Sequence, residues 1–443
     1  MVQSGFFEQP RKIDLWNLQL FGEDTEKENI FKVVAFKLYN FKAFEDTDWI
    51  YINKLTLFLG DNSAGKSVLY QVVKLLKNCY ELMTQGRYFS DLGNVKEIVG
   101  TFEDAHNKNS ENECIVFSFL IENIMLPAQK FVYCVEIRPT GRHEYGIVSK
   151  VTLDRIGIGK EELLTFYDCQ NLFFLRHKQN VSVPNGVAKD VMRVMDALRD
   201  FAEQIRAISC HRYIPERQMV FTGTPKEYVE SNGENAYEML IQLAGSAPER
   251  EQKINGWLNK FGYTYHWEAA ERNVGEFMLV NERTGKKSNI VDNGLGISQS
   301  LPIAVELSDL KGNTILLDTP EAFLQTRMQS EMGDLLIEGA KTGNVLAETG
   351  SEYVVLRIQR RIAENIIDAK DVSLYFIYDN KENGSAVCQM LEVNPYGEFI
   401  NVPKEFKFFF SSDYFDMQAM SKVKIEQMRK NQNAGGDRHE HMG

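Results

Sequence analysis

The sequence predicts an α/β fold: a parallel strand–helix core built around a Gly-rich loop, an antiparallel β lobe and a helical lobe. Three observations predict it. Gly60-Asp61-Asn62-Ser63-Ala64-Gly65-Lys66-Ser67 stands between an apolar run of strand length, residues 55–59, and a stretch over 67–77 with apolar residues at helical spacing. Thr314-Ile315-Leu316-Leu317 is a second short apolar run, and it ends in an acid, Asp318. Residues 98–175 alternate polar and apolar between breaks such as His106-Asn107-Lys108-Asn109, the pattern of an antiparallel sheet.

Taken in order, residues 1–30 are mixed in character and read as an extension that docks on the body or on a partner. Strands are expected at 33–38, 48–52 and 55–59, followed by the 98–175 sheet. Val187, Val191, Val194, Met195, Leu198, Phe201, Ala202 and Ile205 then form one apolar stripe, so a helix here faces the core. Helices are expected at 235–262 and 298–310, a buried strand at 314–317, helices at 321–341 and 351–368, and strands at 372–378 and 386–393. There is no internal repeat and no heptad run long enough for a coiled-coil arm. The polar, Gly-containing end of the chain reads as a flexible tail, 416–443, whose His439 and His441 lack companion metal ligands. The expected division is an extension at 1–30, a head at 31–415 with an inserted lobe at 176–290, and the tail.

Composition narrows the class. A chain of 443 residues with 43% hydrophobic and 25% charged residues builds one large or two ordinary domains. No apolar run approaches the roughly 18 residues of a membrane span. The first seven residues also lack the basic start and apolar stretch of a secretion signal, so a cytoplasmic, membrane-free protein is expected. Cys79, Cys114, Cys134, Cys169, Cys210 and Cys388 contain no C-x-x-C pair, and Cys210-His211 has no second pair to complete a zinc pattern. A net charge of −12 argues against a surface that coats nucleic acid and leaves any such contact local or indirect. Arg357, Arg360 and Arg361 form a basic cluster on an expected helix, either a local patch or a solvated helix face.

The loop at 60–67 has the spacing G-x-x-x-x-G-K-S, and its strand–loop–helix setting gives the pattern weight. Glycines let successive N–H groups turn around a β-phosphate, while the helix N-terminus adds partial positive charge. Gly60, Asp61, Asn62, Ser63, Ala64, Gly65, Lys66, Ser67 and Val68 are therefore the expected nucleotide-binding residues, for ATP with Mg2+. Lys66 reaches the β/γ oxygens, and the Ser67 hydroxyl ligates magnesium. Asp318 either acts on that magnesium, directly or through water, or caps the following helix. Glu321, two residues on, is the nearest carboxylate able to orient the attacking water; a helix N-terminal acid held by the dipole is the other reading. Gly294 and Gly296 lead into a helix whose first turn carries Ser298, an N-terminus able to offer N–H groups to a γ-phosphate.

With these residues in place the chain resembles bacterial ABC-class ATPases of the RecF/OLD/SMC-like branch, in particular compact, arm-less members. The matching stretches are Leu38-Tyr39-Asn40-Phe41-Lys42-Ala43-Phe44, the phosphate loop, Asp91-Leu92-Gly93, Arg212-Tyr213-Ile214-Pro215-Glu216-Arg217 and Asn232-Gly233-Glu234-Asn235-Ala236. Gly294-Leu295-Gly296-Ile297-Ser298-Gln299 with Leu301-Pro302-Ile303 resembles the family signature, Glu348-Thr349-Gly350-Ser351-Glu352 its switch segment, and Asn394-Pro395-Tyr396-Gly397 its C-terminal end. The resemblance implies an ABC-type head, with a RecA-like core, an antiparallel β lobe and a helical signature lobe. It further implies a homo-oligomer in which two heads sandwich ATP, each site completed by the other head's signature. Two departures stand out: Thr319 follows the strand-end acid where such ATPases place the catalytic glutamate, and Gly350 replaces the switch histidine. Phe323-Leu324-Gln325 likewise stands where relatives often carry histidine. Losing groups that orient water slows catalysis by roughly 10²–10⁴-fold, so slow hydrolysis is expected, with Glu321 as the substitute. OLD nucleases carry a Toprim domain after the head; here the head needs most of the residues that follow Asp318 and no clustered acidic metal site is evident among them, so no nuclease activity is expected in this chain. Relatives serve as ATPase subunits of the anti-phage systems Septu and PARIS, which implies control of a separate effector, a nuclease. A RecF-like DNA-binding repair ATPase and a hydrolysis-deficient ATP-binding scaffold are the alternatives.

Overall fold

A computed structural model describes residues 12–13, 30–60, 64–85, 96–141, 146–157, 159–167, 181–182, 188–271, 273–381 and 383–410. Asp61, Asn62 and Ser63 of the phosphate loop, Asp91-Leu92-Gly93, Cys169, Val187 and the 416–443 tail lie outside the described residues. Of the 1–30 extension, Lys12–Ile13 pairs antiparallel with Val181–Ser182.

The strand before the phosphate loop, Leu55–Gly60, is buried at every position and lies at the centre of a parallel group. A strand covered on both faces reads as an unbroken apolar run, which is why this one was legible. Asn344–Thr349 flanks it on one side and Val372–Asp379 on the other, both parallel to it. Beyond Asn344–Thr349 come Thr314–Asp318 and then Ile205–Ile208 at the edge, again parallel. Alternate residues serve opposite faces. Leu55, Leu57, Leu59, Ile315 and Leu317 pack into one apolar core with the helices Ala236–Leu243, Leu295–Leu307, Thr326–Gly339 and Glu352–Ala363. Phe58, Leu316 and Leu346 pack into the other, against Lys66–Thr84 and Ala188–Gln204. Val191, Val194, Met195, Leu198, Phe201 and Ala202 are all buried there, as the stripe required.

On its other side the sheet turns antiparallel. Ala386–Leu391 pairs against Val372–Asp379, and Phe31–Phe41, Ile115–Asn123, Leu126–Pro139, Gly146–Gly157 and Gly159–Tyr167 form an antiparallel meander. Core and meander make one 13-stranded mixed sheet, so the architecture is the α/β class expected. The junction between them is narrow: Ala386 pairs with Phe44 of the short strand Phe44–Asp46 at one position. Two hydrogen bonds reinforce it, Ala386 N–H to the Ala43 carbonyl (2.7 Å) and Tyr51 N–H to the Tyr375 hydroxyl oxygen (2.6 Å).

Four elements differ from the sequence reading. The helix expected at 235–262 breaks into Ala236–Leu243 and Pro248–Asn259, because Gly245 takes a left-handed φ of 72° and Pro248 restarts the helix in its first turn. Tyr263–Glu271, Val274–Asn281, Lys287–Asn289 and Met219–Val220 then form a four-stranded antiparallel sheet beside those helices, where no strand had been expected. The helix expected from 321 begins at Thr326, since Thr319 (φ 46°) and Phe323 (φ 66°) both leave the helical region. The strand Asn344–Thr349 was not anticipated at all; its apolar stretch is three residues long, too short to show a period.

Candidate nucleotide-binding site

The C-terminal ends of three neighbouring parallel strands bring Gly60, Asp318 and Glu348 together. Asp318 pairs laterally with Glu348, and Thr349 with Leu59. Gly60 has φ 142°, and a Cβ there would stand 2.2 Å from the Ile377 carbonyl oxygen, so no other residue fits the exit of this strand. Gly65 (φ 94°) caps the helix that begins at Lys66, and Ala64 and Val68 are buried beside it. Lys66, only 5% exposed, donates from Nζ to the Gly60 carbonyl at 2.7 Å. That bond folds the ammonium back across the mouth of the loop.

Ser67 is exposed, and its Oγ donates to Glu348 Oε1 at 2.8 Å. Asp318 accepts from the Thr319 hydroxyl through Oδ1 (2.9 Å) and from Cys210 N–H through Oδ2 (3.4 Å). Thr319 N–H in turn donates to the Glu348 carbonyl at 3.0 Å. Arg212, buried, bonds the carbonyls of Asp318 (3.4 Å) and Thr319 (3.3 Å), which fixes the turn after the strand-end acid. Glu321 is 6% exposed, and its Oε1 accepts from Gly350 N–H at 3.0 Å. The carboxylate expected to replace the missing glutamate is thus tied to the backbone of the segment that lacks the switch histidine.

Two carboxylate oxygens in this cluster, Glu321 Oε2 and Glu348 Oε2, are buried without a hydrogen-bond partner among the described residues. Burial raises the pKa of both groups. For Glu348 it reaches about 7; burial is the main cause, the negative charges of Asp318 and Glu321 add to it, and Ser67 and Lys66 oppose it. Unsatisfied carboxylate oxygens beside a serine hydroxyl are hard donors suited to magnesium. Among the described residues no three His, Cys, Asp or Glu side chains form a protein-only metal cage. A cation here would take its remaining ligands from phosphate and water, as magnesium commonly does.

Gly294, Gly296 and Ser298 belong to a second cluster, at the start of the helix Leu295–Leu307. Gly294 and Leu295 are exposed, and a Cβ on Gly296 would lie 3.0 Å from the Phe323 carbonyl, so this turn packs on the segment following Glu321. Ser298 is 3% exposed, and its Oγ donates to the Leu295 carbonyl at 3.2 Å. Pro302 lies inside the same helix and has no N–H for the carbonyl four residues back, that of Ser298. The buried Tyr237 hydroxyl supplies the missing donor at 3.1 Å. At the other end of the helix, buried Glu306 accepts from Arg206 Nη1 (2.8 Å) through Oε1 and from Val229 N–H (2.8 Å) through Oε2.

The described residues of the phosphate loop therefore meet Asp318 and Glu321 in one cluster. Glu348 and Arg212 join them, though the sequence reading gave neither a role at the site. A signal for Glu348 was present: Val345-Leu346-Ala347 followed by an acid is the pattern that pointed to Asp318. The arginine cluster resolves as well. Arg357 and Arg361 bind Asp334 at 2.6 Å, and Arg360 and Arg361 bind Glu364, so these charges are largely neutralised.

No protein-family profile matches the chain. No curated protein matches it either. Among solved structures, it is similar to an Smc head bound to the C-terminal winged-helix domain of ScpA (10% identity, 82% of this chain and 98% of that one, TM-score 0.47). It is also similar to the SMC head domain from Thermotoga maritima (12%, 82% and 100%, 0.41). A third is an Smc head with an extended coiled coil, bound to the C-terminal domain of ScpA derived from Pyrococcus furiosus (11%, 82% and 96%, 0.45). At these identities and scores the likeness assigns no residue a role. Among the described residues no helix is long and apolar enough to cross a membrane.

Proposed function

We propose that this chain is an ATP-binding, slowly hydrolysing ABC-type ATPase that oligomerises and controls a separate effector, a nuclease in an anti-phage system. The observation that carries the nucleotide reading is the convergence of Lys66, Ser67, Asp318 and Glu348 at the C-terminal ends of adjacent parallel strands. Lys66 offers its ammonium to β/γ oxygens, and Gly65 opens a helix whose N-terminal N–H groups face the same loop. Magnesium, when bound, would neutralise phosphate charge, with Ser67 and Asp318 holding it. Glu321 would orient the attacking water, and Gly294, Gly296 and Ser298 would complete the site of a second copy. The effector half of the reading rests on family resemblance alone.

A second reading, an ATP-binding scaffold without turnover, is favoured by the bond that commits Glu321 to Gly350 N–H and by Thr319 in the usual glutamate position. A DNA-clamp reading is disfavoured by the net charge of −12 and by the pairing of Arg357 and Arg361 with carboxylates. Steady-state ATP turnover of the chain, of Lys66→Ala and of Glu321→Gln, with mass measured with and without nucleotide, tests the proposal. Turnover lost in both variants supports the ATPase. Binding with a nucleotide-dependent mass but no turnover selects the scaffold, and absence of binding in the unsubstituted chain overturns both.

A further inference from the structure

The nucleotide reading places Glu348 at the site but gives it no task there. It sits on the strand between the phosphate-loop strand and the Asp318 strand, so its lateral neighbours are Asp318 on one side and Phe58 on the other. It is 8% exposed, its Oε1 accepts a hydrogen bond from the Ser67 hydroxyl, and its Oε2 is buried with no partner among the described residues. A hydroxyl has one proton to give. Because that of Ser67 goes to Glu348, what Ser67 presents to a cation is its lone pairs. A buried, unpaired carboxylate oxygen is costly in a fold unless something positive is meant to meet it. Lys66 answers only part of that demand, since its Nζ is directed to the Gly60 carbonyl.

We infer that Glu348 is the positioning residue that makes nucleotide binding depend on a divalent cation: it aims the Ser67 lone pairs and bars phosphate that arrives without its metal. This rests on the nucleotide-binding reading and specifies which form of the nucleotide the site accepts. Two acids at adjacent strand ends repel a bare triphosphate, and a divalent ion between them and the phosphates reverses the sign of that interaction.

Equilibrium binding of a fluorescent, non-hydrolysable ATP analogue at pH 8 tests this, in EDTA and in Mg2+, for the unsubstituted chain, Glu348→Gln, Glu348→Ala and Lys66→Ala. Direct Mn2+ binding in the presence of nucleotide, by electron paramagnetic resonance, gives a readout independent of turnover. The unsubstituted chain is expected to bind at least about tenfold tighter with Mg2+ than in EDTA. In Glu348→Gln, which keeps an acceptor for Ser67 but removes the charge, that ratio collapses because binding in EDTA tightens. Glu348→Ala shows the same collapse and in addition loses Mn2+ affinity, since Ser67 is no longer aimed. Circular dichroism confirms that the variants fold. An unchanged Mg2+/EDTA ratio in a folded Glu348→Gln variant overturns the inference while the nucleotide reading stands. Absence of binding in the unsubstituted chain, or binding unaffected by Lys66→Ala, overturns that reading itself.

Discussion

Replacing Glu348 by Gln should change how stability depends on pH. The carboxyl's pKa is raised from an ordinary 4.5 to about 7, with burial the largest cause. Between those two values the folded chain holds a proton that the unfolded chain has released, so stability falls as pH rises through this window. Below about 4.5 both states are protonated and nothing is lost; above about 7 the whole difference has been lost. A shift of that size corresponds to about 3 kcal/mol, most of it developing between pH 5 and 8. Glutamine cannot ionise, so the variant lacks this component whatever constant cost the amide introduces. The assay is urea unfolding in EDTA at closely spaced pH values. The variant-minus-unsubstituted difference should move by about 2–3 kcal/mol in favour of the variant from pH 5 to pH 8. Parallel stability curves over that range would refute the argument, because they would show that Glu348 is solvated or paired in the folded chain.

Other substitutions test other links. Tyr237→Phe strands the buried Ser298 carbonyl and should cost about 1–3 kcal/mol in urea melts, whereas in a Pro302→Ala background, where residue 302 regains its N–H, the same change should cost much less. Arg206→Ala leaves Glu306 buried without its ion-pair partner and should destabilise by about 3–5 kcal/mol, with the tryptophan fluorescence transition moving to lower urea. Gly60→Ala forces a strained φ and a contact with the Ile377 carbonyl, and should abolish nucleotide binding while costing upwards of about 1 kcal/mol.

What could be read in advance follows from where information about burial is written. Leu55–Gly60 and Thr314–Asp318 were visible because strands covered on both faces have no polar positions to blur them. The 188–204 helix was visible because one face alone is buried. Tyr263–Asn281 went unseen although its inward residues Phe277 and Leu279 alternate with partly exposed ones, because the first strand, Tyr263–Glu271, is only partly buried and shows no apolar alternation. At the site, Lys66 and Ser67 stand at the fixed spacing of the loop, and Asp318 was visible as the acid that ends a buried apolar run. Glu348 carries no such spacing from the loop, since 281 residues separate it from Ser67, and only the parallel register makes them neighbours. Arg212 works through backbone carbonyls, a role that leaves no residue pattern to find.

The waist at Phe44 and Ala386 has a mechanical consequence. One paired position joins the meander to the parallel core, and a Cβ on Gly65 would meet Ala43 at 3.0 Å, so the waist and the phosphate loop are in contact. A sheet resists bending along its strands and yields where few rungs connect them. The apolar core beneath bridges the gap, since Phe36, Leu38 and Phe117 of the meander share one cluster with Val68 and Val72 of the helix that follows the loop, so load on the outer strands reaches the phosphate loop through this core as well as through the waist.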